Sequence, residues 1–302
     1  MIAFSTRWNA GRHTTGDAAL REIKNSLGFD LIELHHGFGS SRIPSIQKLL
    51  DSGEIRICSV SNVPPGENSS SSSNHYGFAA PSPVQREAAI RQAFQAIELA
   101  AQLNATFVVL CMGTVNMPAI TDRLIAMAKA GGHLSREYVR MKINAVQERE
   151  RIGSECLPRL RECLLRIVDY AAGKNVRIGL KARRDYEQIP TERELSKLLE
   201  EMNSPYVGYW HDFGHCQVKE NLAFIDHAEW LGAVGARTFG CHVQDCIWPA
   251  REGQLPFTGS VDFEKLVPLL PTDCLFVWQM NPGRSADGIR RSVEIWKERF
   301  GE

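Results

Sequence analysis

From its first residues onward the chain sets acids, bases and amides at intervals, each group following a short apolar run. They are Arg7 and Trp8, then Glu33, His35 and His36, then Asn62, then Lys181 and Arg183, then Asp212 and His215, then His242 and Gln244, then Gln279 and Asn281. This mixture suits general acid–base chemistry. Carboxylates and imidazoles give and take protons near neutral pH, and a lysine ammonium stabilises an oxygen on which negative charge develops. On that chemistry Lys181 is the electrophile, and a partner carboxylate at Asp212 makes this charged role the expected one rather than Schiff-base chemistry. His215, Glu187 and Glu33 are candidate acids or bases, while Arg7, Trp8, His35, His36, Arg183 and Asn281 are candidates to hold the polar groups and flat face of a ligand. Plainer roles exist for some of them: Glu33 as the partner of an arginine, Trp8 and Trp210 as core.

These groups are far apart in sequence, so the fold must gather them. Apolar runs that read as strands cover Ile2–Trp8, Phe29–His36, Arg56–Val63, Thr106–Gly113, Val176–Arg183, Val207–His215, Thr238–Asp245 and Leu275–Pro282. Between them lie amphipathic runs such as Thr15–Leu27, Val84–Leu103, Leu157–Ala172, Thr191–Met202, Phe224–Val234 and Ser285–Phe300. Eight strands alternating with helices predict an α/β fold, a closed (β/α)8 TIM barrel spanning 1–302 as one domain. In such a barrel the carboxyl ends of all strands open on one face, where Lys181, Asp212, His242 and Gln279 from strands five to eight are expected to share a pocket. Pairing register decides that convergence, and a one-residue slip would turn a side chain towards the helices. Thr191 and Glu194 form a capping-box signal, and the polar run 68–74 reads as a loop. After strand four an insertion, 114–155, carries helical pieces at Thr121–Ala130 and Ser135–Arg151 separated by Gly131 and Gly132. It is expected over the active face, as a lid, a subunit contact or an exposed hairpin.

The 35 basic and 35 acidic residues balance, and 43% of the chain is hydrophobic. No nucleic-acid or membrane partner is implied. The eight cysteines form no C-x-x-C pair and read as reduced, buried thiols. With no signal-like start, the expected location is cytoplasmic.

The runs IGLKARRDYEQIPT (178–191), YWHDFGHCQ (209–217), CHVQD (241–245), TGSVDF (258–263) and FVWQMNP (276–282) resemble, in strand order over essentially the whole chain, those of the xylose isomerase-like TIM-barrel superfamily. The resemblance implies an isomerase or epimerase acting on a small sugar, polyol or keto-sugar, and a homodimer or tetramer. It also implies a divalent metal (Mn, Mg, Zn or Co) held by Glu, Asp, His and Glu from strands five to eight. Those positions are Lys181, Asp212, His242 and Gln279 here, so two of the four ligands are retained. His215 matches a substrate-contacting histidine of the family, and Glu187 an acid near the metal or substrate. The family set sums to about −3 and this one to about zero. A dication about 4 Å from the Lys181 ammonium would meet roughly 8 kcal/mol of repulsion at an effective dielectric of 20. The expectation is therefore an enzyme without a cofactor at this site. A catalytically silent carbohydrate-binding barrel and a metal-dependent enzyme with a displaced ion are the alternatives. The DNA-repair branch of the superfamily needs further histidines after strands three and four and an Asp-x-His after strand seven; the sequence lacks them, and nuclease activity is disfavoured.

Overall fold

A computed structural model describes residues 1–9, 11–62 and 77–301, so the serine-rich run 68–74 lies outside the described residues. The strands are β1 (Ile2–Ser5), β2 (Leu31–Leu34), β3 (Arg56–Asn62), β4 (Phe107–Leu110), β5 (Arg177–Leu180), β6 (Val207–Asp212), β7 (Thr238–Val243), the hairpin pair β8 (Asp245–Ile247) and β9 (Arg251–Gln254), and β10 (Leu275–Trp278). All but β8 and β9 close a parallel barrel in the order β1-β10-β7-β6-β5-β4-β3-β2.

Closure follows from strands that are apolar on both faces. Inside the barrel, Ala3, Leu31, Cys58, Val109, Trp210, Leu275 and Val277 form one buried cluster. Trp210 fills the centre because Gly179 on β5 and Gly240 on β7 leave room; a Cβ at either would come within 2.8 Å of its ring. Outside, the helices are α1 (Gly16–Leu27), α2 (Ile43–Asp51), α3 (Pro83–Gln102), α4 (Ile120–Lys129), α5 (Arg136–Gly173), α6 (Glu192–Met202), α7 (Phe213–Asn221), α8 (His227–Val234), α9 (Phe263–Leu266) and α10 (Ala286–Phe300). Among the described residues, no helix is long and apolar enough to cross a membrane. All eight cysteines are buried and free.

The expected element types hold, but several boundaries move. β6 stops at Asp212 rather than His215, because the Asp212 carboxylate accepts the His215 backbone N–H and starts α7 as its N-cap. β5 and β10 end one residue before Lys181 and Gln279, which therefore project from just beyond the sheet. The runs Ser135–Arg151 and Leu157–Ala172 are one continuous helix, α5, passing through Pro158. A proline inside a helix forfeits a hydrogen bond and costs roughly 3 kcal/mol; burial of Cys156, Leu160, Cys163, Leu164 and Ile167 around it offsets that loss. The capping box at Thr191 and Glu194 forms as its sequence predicts.

The insertion builds a second small core. Ile120, Leu124 and Ile125 of α4 and Tyr138 and Ala145 of α5 pack with Val218 and Leu222 of α7 and with Cys246 of the hairpin. The Tyr138 hydroxyl donates to the Leu222 carbonyl, and His133 meets Trp248 edge to face. The insertion is thus packed on the two elements that follow Asp212 and His242.

Candidate active site

Parallel pairing sets Asp212 beside His242, and His242 beside Val277, two residues before Gln279. Alternation along β6 and β7 turns Trp210, Asp212, Gly240 and His242 inward, and the Trp210 ring lies edge-on to His242 at 5.6 Å as the floor of the cluster. Lys181 reaches across this floor. Its Nζ is 2.6 Å from Asp212 Oδ2 and 2.7 Å from His242 Nδ1, with all three side chains buried.

An ammonium has no lone pair, so His242 Nδ1 accepts and the imidazole proton sits on Nε2. That N–H donates to Glu33 Oε2 at 2.9 Å. Gln279 Nε2, also a donor, lies 3.4 Å from the same nitrogen and makes its hydrogen bond to Glu33 Oε1 at 3.3 Å instead. Gln279 Oε1 then accepts from Arg7 Nη1 at 3.2 Å, and Ser59 Oγ donates to Glu33 at 3.1 Å. The register that pairs Ser5 with Glu33 and Glu33 with Ser59 brings these groups to one level. Burial alone would raise the Glu33 carboxyl, but His242 and Lys181 hold it below its ordinary value. Asp212 is likewise opposed by burial yet held well below the usual carboxylate range by His215, Lys181 and His242. Gln244 Nε2 donates to Asp212 Oδ1 at 2.7 Å. Lys181, Arg7, Asp212 and Glu33 sum to zero charge.

His215, on the first turn of α7, stands between two carboxylates: Nδ1 is 3.5 Å from Asp212 Oδ2 and Nε2 is 3.3 Å from Glu252 Oε2. Burial lowers its pKa despite both acids, leaving a neutral ring. Burial would raise Glu252, but His215 and Arg184 bring it down to about 2. Glu252 is carried on β9. Asn281 Nδ2 donates to the Glu252 carbonyl, and Gly253, at φ +70°, leaves no space for a side chain beside Asn281. At the base of the hairpin the Asp245 carboxylate accepts backbone N–H groups of Cys246, Thr258, Gly259 and Val261, which fixes the run TGSVDF beneath it.

Of the groups expected to meet, Lys181, Asp212, His215, His242, Gln279, Glu33 and Arg7 do so. His35 adjoins them and packs against His36 with ring centroids 3.7 Å apart and the planes tilted by 45°; burial, then His36 and Arg7, push its pKa well below the usual value. Its Nδ1 accepts from Gly37 N. Arg183 is half-buried two residues beyond Lys181. Three expected residues are occupied elsewhere. Glu187 accepts from Thr121 N and Thr121 Oγ1, both at 2.7 Å, and so ties the β5 loop to α4; burial raises its pKa. Trp8 is buried against Phe4, with its indole N–H on the Arg284 carbonyl and the Arg12 guanidinium over its ring. Asn281 serves the hairpin. Glu252 was not foreseen; Pro249 and Gly253 within a short polar run after the seventh strand were the signal for a hairpin that could carry it.

The donor set does not fit a divalent ion at the position the family uses. The lone pairs of Asp212 Oδ2 and His242 Nδ1 that would face the ion are taken by an ammonium, and Gln279 Oε1 faces a guanidinium.

Among solved structures the fold matches a D-tagatose 3-epimerase-like protein (TM-score 0.70, 20% identity, covering 99% of this chain and 96% of that one). It also matches the zinc-bound IolI protein (TM-score 0.68, 14% identity, 100% and 99% covered) and 3-keto-D-glucoside 4-epimerase from E. coli (TM-score 0.65, 13% identity, 98% and 98% covered). No protein of curated function is similar enough in sequence to match. Residues 21–298 match the profile of the xylose isomerase-like TIM barrel, and the chain belongs to that family.

Proposed function

We propose that the chain is a sugar isomerase or epimerase, acting on a small sugar, polyol or keto-sugar by proton transfer next to a carbonyl, with the Lys181 ammonium standing where relatives hold a metal ion. The observation that carries this reading is the seat of Lys181 Nζ between Asp212 and His242. One N–H of the ammonium goes to His242 Nδ1 and its charge is paired with Asp212, and an oxygen of the ligand is the further acceptor it would meet. A fixed ammonium in a site of low dielectric stabilises an enolate oxygen without moving, which is the electrostatic task a metal otherwise performs. The neutral His215 ring, flanked by Asp212 and Glu252, is the proton carrier, and its two carboxylates stabilise the imidazolium that forms when it accepts a proton. Likeness of fold to a D-tagatose 3-epimerase-like protein and to 3-keto-D-glucoside 4-epimerase supports a ketose or keto-sugar as substrate class.

The test follows exchange of substrate carbon-bound hydrogen with deuterium from solvent over a panel of ketoses, aldoses and inososes. Exchange in the parent that falls at least about 100-fold in Lys181→Met supports the assignment. Exchange unaffected by Lys181→Met refutes the role of the ammonium; sugar binding without exchange makes the chain a silent carbohydrate-binding barrel. A second arm restores the family ligands. Lys181→Glu with Gln279→Glu is expected to gain one equivalent of manganese that Asp212→Asn then removes. An Asp212-dependent ion in the unmodified protein overturns the proposal.

A further inference from the structure

The other face of β6 carries chemistry that the barrel mouth does not use. Alternation turns Tyr209 and His211 outward, towards α7 and α8, where His211 meets Cys216 and His227. All three of these ligand-type side chains are fully buried, and one donor atom from each lies within 4.8 Å of the others. His211 Nε2 and His227 Nε2 are 3.1 Å apart. That separation is close to the edge of a tetrahedron built on zinc–nitrogen bonds of about 2.0–2.1 Å, roughly 3.3–3.4 Å.

We propose that His211, Cys216 and His227 form a second site, separate from the barrel mouth, for a thiophilic divalent cation of the zinc type. A thiolate with two imidazoles selects zinc over harder ions such as magnesium or calcium. The surroundings supply the partners that such ligands need. Trp230 Nε1 donates to Tyr209 Oη at 3.1 Å, so that oxygen is an acceptor with a hydrogen of its own still to place. It lies 3.0 Å from His211 Nδ1 and 3.7 Å from Cys216 Sγ. With the His211 proton on Nδ1 and donated to Tyr209, the Nε2 lone pair faces His227, and the phenol hydrogen points to the thiolate. An outer partner of this kind fixes the ring and tautomer of a ligating histidine.

Without an ion the two imidazoles share a single proton across 3.1 Å and Cys216 remains a thiol. Ion binding requires a tautomer shift in the histidine pair, movement of Cys216 Sγ from its place 3.9 Å from His211 Nδ1 towards the Nε2 side of the ring, and release of one thiol proton to solvent. The ion would join β6 to α7 and α8 immediately behind Asp212, and its role is to stabilise these three elements. The inference does not depend on the reading of the barrel mouth.

The full-length protein, stripped with a chelator, is titrated with cobalt(II) and separately with zinc(II). One equivalent is expected, with a thiolate-to-cobalt charge-transfer absorption and a zinc-dependent rise in Tm. Cys216→Ala and His227→Gln are each expected to abolish both, Tyr209→Phe to weaken binding about 10-fold, and Asp212→Asn to leave the equivalent in place. No equivalent in the parent protein, a charge-transfer band that survives Cys216→Ala, or an equivalent that disappears with Asp212→Asn each overturns the site and leaves a proton-sharing histidine pair. If one core variant does not fold, the other still decides, since each removes a different ligand.

Discussion

Replacing Lys181 with methionine keeps most of the side-chain volume and removes the positive end that Asp212 Oδ2 meets at 2.6 Å. Attraction between unit charges at that distance is about 6 kcal/mol at an effective dielectric of 20. Removing one partner of a buried pair typically costs about 3–5 kcal/mol, because the remaining charge cannot return to water. Asp212 Oδ1 keeps two donors, His215 N at 2.9 Å and Gln244 Nε2 at 2.7 Å. The expected loss therefore lies in the lower half of that range, about 3–4 kcal/mol, or roughly 5–6 °C in Tm for a chain of this size. The pH dependence has a definite sign. In the parent, Asp212 is held well below 3.8, so its contribution is complete above that value and is lost only as pH falls through the depressed folded value. In the variant the unpaired carboxylate takes up a proton on folding, so the deficit narrows from pH 7 towards pH 4. Urea and thermal unfolding of both proteins at pH 7 and pH 4 measure this. A deficit under about 1 kcal/mol at pH 7, the size of an exposed pair, or one that widens in acid, would refute the buried ion pair.

Two further outcomes test the support around the site. Asp245→Asn replaces one carboxylate oxygen, among four backbone donors, with an amide that must face N–H groups of its own kind. A loss of about 2–4 kcal/mol is expected in urea unfolding, and faster amide exchange over residues 258–263; unchanged exchange there would show that the carboxylate does not anchor the segment. Gly253→Ala places a methyl 2.0 Å from Asn281 Nδ2 at a φ of +70°. It is expected to cost about 1–3 kcal/mol and to release the hairpin carrying Glu252, seen as deprotection of residues 245–254. A variant as protected as the parent would contradict the packing of Asn281 on the hairpin.

Strand order and the residue types at the strand ends are legible in the sequence, since both depend on local periodicity and on the fixed order of parallel βα units, and the altered charge of the row Lys181, Asp212, His242 and Gln279 follows from the family resemblance; that these four turn inward together was decided by pairing register. The boundary at Asp212 was not legible: the residue is both the end of a strand and the cap of a helix, and apolar patterning sees only the first. Glu187 illustrates the same limit. Its place in the motif suggests chemistry, but Thr121, 66 residues earlier in the chain, takes both of its carboxylate oxygens. Glu33 and His242 are 209 residues apart and joined by one hydrogen bond, while Glu252 reaches His215 only because Asn281 and a left-handed Gly253 aim its hairpin. The sequence by itself thus determined the barrel and the chemical types at its open end, because repeated local patterns encode both. Which side chains share protons there was decided by the tertiary structure, since hydrogen bonds act over about 3 Å and only barrel closure brings such distant residues that close.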